Sequence, residues 1–181
     1  SGLIYQQSAT TTAQETMLNG NANCLSLAIL TYSIARELGL KAEFQDIQIP
    51  EYWTSQNNTT WLNGHINLRI KQSMIADTAS SAVSIGTDIV VDFDPFVLKK
   101  QFPSTIVKKD RVVAMFYNNK AADAILSKDY DVAYQYLKAA ITMAPELSGN
   151  WNNLAVLYRN KQLFAAAEPV YLHSLALEPN H

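Results

Sequence analysis

Cys24 is the one thiol in 181 residues, and its neighbours give it the makings of a nucleophile. Asn23 is a helix-capping residue type, and Leu27, Leu30, Ile34 and Leu38 follow at helical spacing, so Cys24 falls in a first turn. There the unsatisfied N–H groups and the positive end of the helix dipole favour a thiolate. A nucleophilic thiol also needs a base to take its proton and a carboxylate to orient that base. His65 opens an alternating run in which Ile66, Leu68 and Ile70 face one way and His65, Asn67 and Arg69 the other. Asp92 lies in a further run, opposite Ile89, Val91 and Phe93 and on the side of Asp88, Val90 and Asp94. A lone cysteine in an apolar helix is usually buried filler. The order Cys24, His65, Asp92, with a base and a carboxylate on the polar sides of strands, weighs against filler here. Asp92 and Asp94 are two apart and share a face, so position decides between them: Asp92 sits inside the apolar run, whereas Asp94 precedes Pro95.

The elements that must position these residues are a helix over Cys24–Leu38, stopped by a left-handed Gly39, and three strands. The first holds Ala42, Phe44, Ile47 and Ile49, with a slip at Gln45–Asp46 that predicts a bulge, and Pro50 ends it. The second is His65–Ile70, and the third is Ile89–Phe93, ended by Pro95. Between the first two, Glu51–Gly64 reads as a long loop bearing Tyr52, Trp53 and Trp61, which could line a groove or cover a sheet face. Residues 1–23, polar with Leu3, Ile4, Tyr5, Met17 and Leu18 to bury, read as a loosely ordered lead-in. Phe96–Arg111 reads as a connector with a few solvated lysines. A helix followed by several strands predicts an α+β fold, the helix packed on a largely antiparallel sheet.

The runs Gly20-Asn21-Ala22-Asn23-Cys24-Leu25-Ser26, Gly64-His65-Ile66-Asn67-Leu68 and Val90-Val91-Asp92-Phe93-Asp94-Pro95 resemble the transglutaminase-like superfamily over about residues 19–95. The resemblance implies Cys24 as nucleophile, His65 as general base and acid, and Asp92 as the group that orients His65. This chain departs from the pattern in Gly-His-Ile, where many members have an aromatic after the histidine. Its spacings of 41 and 27 residues are short for a papain-type protease, which disfavours that group.

A second pattern occupies the C-terminal third. Trp151-Asn152-Asn153-Leu154-Ala155 matches Tyr117-Asn118-Asn119-Lys120-Ala121 at an offset of 34, which also relates Ala133 to Ala167 and Pro145 to Pro179. Trp151, Leu154, Ala155, Tyr158, Ala167, Tyr171 and Pro179 resemble the tetratricopeptide repeat (TPR) pattern, with departures at Lys120 and Ser174. The small residues let paired helices approach closely, and each proline closes a second helix. Two repeats bury little by themselves, so they are expected to pack within the chain rather than on a partner or on a continuation past His181.

Composition narrows the function classes. Fourteen basic against sixteen acidic residues, net charge −2, leave no footprint for nucleic acid, and no apolar run is long enough for a membrane span. The two overlapping glycosylation sequons at Asn57 and Asn58 carry no weight. One cysteine excludes an internal disulfide and a multi-cysteine zinc site, and His65, His173 and His181 lack ligand spacing, so neither metal nor cofactor is expected. A start at Ser-Gly without Met suits a soluble cytoplasmic chain as well as a mature form whose export signal was removed. The expected layout is a transglutaminase-like domain over 1–110, with its core at about 19–95 and a linker at 96–110, and two TPR repeats over 111–181. The expected function is cysteine-dependent acyl transfer or amide hydrolysis on a protein or peptide, with the repeats docking a protein partner. The alternative is a catalytically inactive module of the same layout that binds proteins.

Overall fold

The computed structural model describes residues 2–6, 8–50, 53–56, 59–62, 64–72, 75–76, 83–84, 87–100 and 102–178. Tyr52, Asn57, Asn58, Gly86, Pro179 and His181 lie outside them. The chain divides into two compact units, Ser1–Lys108 and Lys109–His181.

The first unit is α+β. It begins with β1 (Ile4–Tyr5), α1 (Ala13–Asn19) and β2 (Asn21–Ala22), with β1 and β2 paired in parallel. Helix α2 (Cys24–Glu37) follows, then β3 (Lys41–Ile47), β4 (Trp53–Gln56), β5 (Thr59–Leu62) and β6 (His65–Lys71). Short β7 (Ile75–Ala76) and β8 (Val83–Ser84) pair with each other, and β9 (Ile89–Val91), α3 (Pro95–Lys100) and β10 (Ser104–Val107) complete the unit. The central sheet has the order β10-β3-β6-β9 and is antiparallel throughout, with Phe44, Ile47, Ile66 and Leu68 in the core. Helix α2 lies against β3 and β6, and its Tyr32 stacks on Phe44 with ring centroids 4.6 Å apart.

Several sequence expectations are corrected. The N-terminal segment is not a loose lead-in: Leu3, Ile4, Tyr5, Met17 and Leu18 are all exposed, while Thr10 and Thr16 are buried. Polar residues anchor it, through the Thr12/Glu15 capping box of α1, the Thr11–Thr16 hydroxyl pair at 2.7 Å and the bond from Thr11 N–H to Ser26 Oγ at 2.8 Å. Because this segment covers the start of α2, Leu25, Ser26, Leu27 and Ala28 are all buried there, whereas Ile34 and Leu38 emerge into solvent. No bulge interrupts β3, whose register with β6 runs unbroken from Lys41↔Lys71 to Ile47↔His65. The apparent slip arises because Gln45 is buried on its own account, its amide donating to Ser104 Oγ at 3.0 Å. The aromatic loop is in backbone terms the β4–β5 hairpin. The connector contains α3 and the edge strand β10, which the exposed, mixed character of Ser104–Ile106 concealed. Strand β9 ends at Val91, so Asp92 and Asp94 sit in the turn that leads to α3 rather than on the strand itself.

The second unit is two helical hairpins: α4 (Lys109–Leu126) with α5 (Tyr130–Met143), and α6 (Ser148–Asn160) with α7 (Phe164–Leu177). Ala121, Ala133, Ala155 and Ala167 are 0 to 4 % exposed, which is what close helix approach requires. Leu137, Leu154 and Leu157 fill the layer between the hairpins, flanked by Trp151 and Tyr158. No helix among the described residues is long and apolar enough to cross a membrane.

Candidate functional site

Cys24 is held by its helix start. Asn23 Oδ1 caps α2 by accepting from the Ser26 N–H at 2.9 Å, and Asn23 Nδ2 donates to Thr10 Oγ1 at 2.9 Å. Ser26, fully buried, donates its hydroxyl to the Ala9 carbonyl, and the Asn23 N–H donates to the same carbonyl. The N-terminal segment thus fastens the turn that carries the thiol, while Cys24 itself stays partly accessible.

His65 opens β6, and Cys24 is close enough to bear on its protonation. On the other side, His65 Nε2 lies 2.8 Å from Asp92 Oδ1 and 2.9 Å from Oδ2. A carboxylate only accepts, so Nε2 carries the proton toward Asp92 and Nδ1 is the nitrogen left for Cys24. Both side chains are withdrawn from solvent, at 5 % and 0 % exposure. Two further donors hold the carboxylate: the Asp94 N–H reaches Oδ1 at 2.9 Å and Asn67 Nδ2 reaches Oδ2 at 2.8 Å. The structure therefore brings His65, Asp92 and Asn67 together, Asp94 meets them through its backbone, and Cys24 opens α2.

The electrostatics follow from these contacts. Burial works against a charged His65, but the hydrogen bonds to Asp92 and Cys24 and the charges of both outweigh it, raising the imidazole from 6.5 to about 10. Burial likewise works against ionised Asp92, yet the hydrogen bonds from His65, the Asp94 N–H and Asn67 hold its carboxyl below the usual carboxylate range. An imidazole ring held by a carboxylate beside a thiol suits proton exchange. Sequence reasoning placed Asn67 on the His65 side of the strand without giving it a role, because alternation reports a face and not a partner.

In the second unit, each hairpin turn places a non-glycine residue in the left-handed region, Lys128 at φ 61° and Gln162 at φ 60°, 34 residues apart. Trp151 Nε1 donates to the Pro145 carbonyl at 2.7 Å, and Ser174, where the pattern favours alanine, donates to the Ser148 carbonyl at 2.9 Å. The last hairpin matches a known family. Residues 148–181 fit the model of the tetratricopeptide repeat. The hairpin of α4 and α5 repeats its layout one period earlier. No curated protein and no solved structure matches the chain. Among the described residues there is no group of three or more His, Cys, Asp or Glu side chains placed to hold a metal ion.

Proposed function

We propose that the first unit is a cysteine acyl-transfer domain acting on a carboxamide or peptide bond, and that the TPR hairpins dock the protein that carries the substrate. The observation that supports this most directly is His65, held through Nε2 by Asp92 at 2.8 Å and raised in pKa in part by Cys24, which opens a helix. The resemblance of residues 19–95 to the transglutaminase-like superfamily supports the same assignment, with Cys24 as nucleophile, His65 as general base and acid, and Asp92 as its orienting group.

In this mechanism His65 Nδ1 holds the proton shared with Cys24 as an imidazolium, and the thiolate attacks the substrate carbonyl carbon. The tetrahedral oxyanion is met by N–H groups at the start of α2, which have no partners within the helix, the Cys24 N–H foremost. His65 then gives its proton to the departing amine, the C–N bond breaks, and a thioester remains on Sγ. Water or a second amine, deprotonated by His65, releases the acyl group and restores the thiol. Hydrolysis and cross-linking share every step up to the thioester and differ in what reaches it.

Alkylation of Cys24 by iodoacetamide across pH tests the proposal. The expected result is rapid labelling that persists below neutrality and collapses in His65→Ala. A thiol inert without denaturant would overturn the enzyme reading and leave a protein-binding module, the role to which the TPR match by itself points.

A further inference from the structure

Asn67 is 4 % exposed and stands two residues from His65 on β6. Its Nδ2 donates to Asp92 Oδ2 at 2.8 Å, while its buried Oδ1 has no hydrogen-bond partner among the described residues. The opposite amide orientation would set an oxygen against the carboxylate, so Asp92 dictates which way Asn67 points. A buried carbonyl without a partner is a poor arrangement for stability alone, and an apolar side chain of the same size would avoid it. What the arrangement does achieve is a fixed carboxylate. His65 Nε2 is nearly equidistant from the two Asp92 oxygens, at 2.8 and 2.9 Å, a contact that by itself leaves the carboxylate free to rock about its own axis. The Asp94 N–H on Oδ1 and Asn67 Nδ2 on Oδ2 brace it from either side.

We infer that Asn67 is a positioning residue for the thiol chemistry at Cys24, acting by clamping the Asp92 carboxylate against the His65 imidazole. The inference rests on the reading of Cys24, His65 and Asp92 as a working set. Asn67 also favours the ionised form of Asp92, the form that holds the His65 imidazole.

The test is the pH–rate profile of Cys24 alkylation by iodoacetamide in the full chain, for wild type, Asn67→Leu, Asn67→Ala and Asn67→Gln, each also in an Asp92→Asn background. Asn67→Leu keeps the volume and removes the donor; it is expected to move the acid limb up by about one pH unit, equivalent to about a tenfold slower reaction on that limb. Asn67→Gln, which restores a donor, recovers part of the rate. In the Asp92→Asn background the same changes at Asn67 are expected to have no further effect, because Asn67 acts through that carboxylate. Asn67→Ala gives the comparison if the leucine variant does not fold. Wild-type reactivity with superimposable Asn67 profiles would overturn this inference alone, as would an equal loss in the Asp92→Asn background. A wild-type thiol that does not react would overturn the underlying reading instead.

Discussion

At the scale of single residues, the choice between two aspartates turns on a two-residue shift. Asp92 offers its carboxylate to His65, whereas Asp94 offers a backbone N–H to Asp92. Asp92→Asn is therefore expected to slow Cys24 alkylation by about 100-fold or more with the fold retained, since an amide stabilises the imidazolium poorly and can hold the wrong tautomer. Asp94→Asn keeps its N–H and is expected to leave the rate within about twofold of wild type; the reverse ranking in a stopped alkylation assay would reassign the carboxylate. The raised His65 also links the cluster to stability. Its folded value of about 10 stands above the ordinary 6.5, so its contribution is complete below about pH 6.5 and is lost as pH rises through 10. Asp92 works in the other direction, contributing above its ordinary 3.8 and losing that contribution as pH falls through its lowered folded value. Urea midpoints for wild type and His65→Gln should accordingly converge between pH 7 and 10. Residue types and order pointed to the pairing of His65 with Asp92, because a histidine opening a strand is an unusual placement. The turn at Asp92 was not legible, since Ile89–Phe93 alternates like a strand while the backbone leaves the sheet at Val91.

At the scale of elements, α2 was readable from Asn23 at its start to Gly39 at its end, and both devices operate: the cap accepts from Ser26 and Gly39 adopts φ 71°. The buried face of α2 was not readable, because the helical period assumes one partner and α2 has two, the sheet along its length and the N-terminal segment at its start. That segment misled for a physical reason. Its order comes from buried hydroxyls and amides, while hydrophobic patterning detects only apolar burial. Asn23→Ala removes the cap and the bond to Thr10 together, and is expected to cost about 1–2 kcal/mol in chemical denaturation. It should also slow Cys24 labelling, since the turn bearing the thiol loses its fastening; unchanged labelling would show that the segment serves stability only.

At the scale of the whole molecule, the chain joins an α+β unit to helical hairpins, and the 34-residue offset exposed the second half more fully than alternation exposed the first. Repeats declare themselves through self-similarity, which needs no knowledge of what packs where. Trp151→Ala and Ala167→Trp are each expected to destabilise the C-terminal unit by about 2 kcal/mol, the first by a cavity beside Leu154 and Leu157 and the second by overpacking at a site 4 % exposed. Unshifted denaturation midpoints would contradict the packing described. The hairpin turns hold one more consequence. At Gly39, Lys128 and Gln162 the helix ends alike: the left-handed residue's N–H bonds three residues back and the next N–H five back. Only the first of the three is glycine. Each of the others bears a backbone penalty that glycine avoids, so the repeat unit holds an untapped reserve. Lys128→Gly and Gln162→Gly should each raise its stability by about 0.5–1 kcal/mol, without touching the packed layer, and the two gains should add.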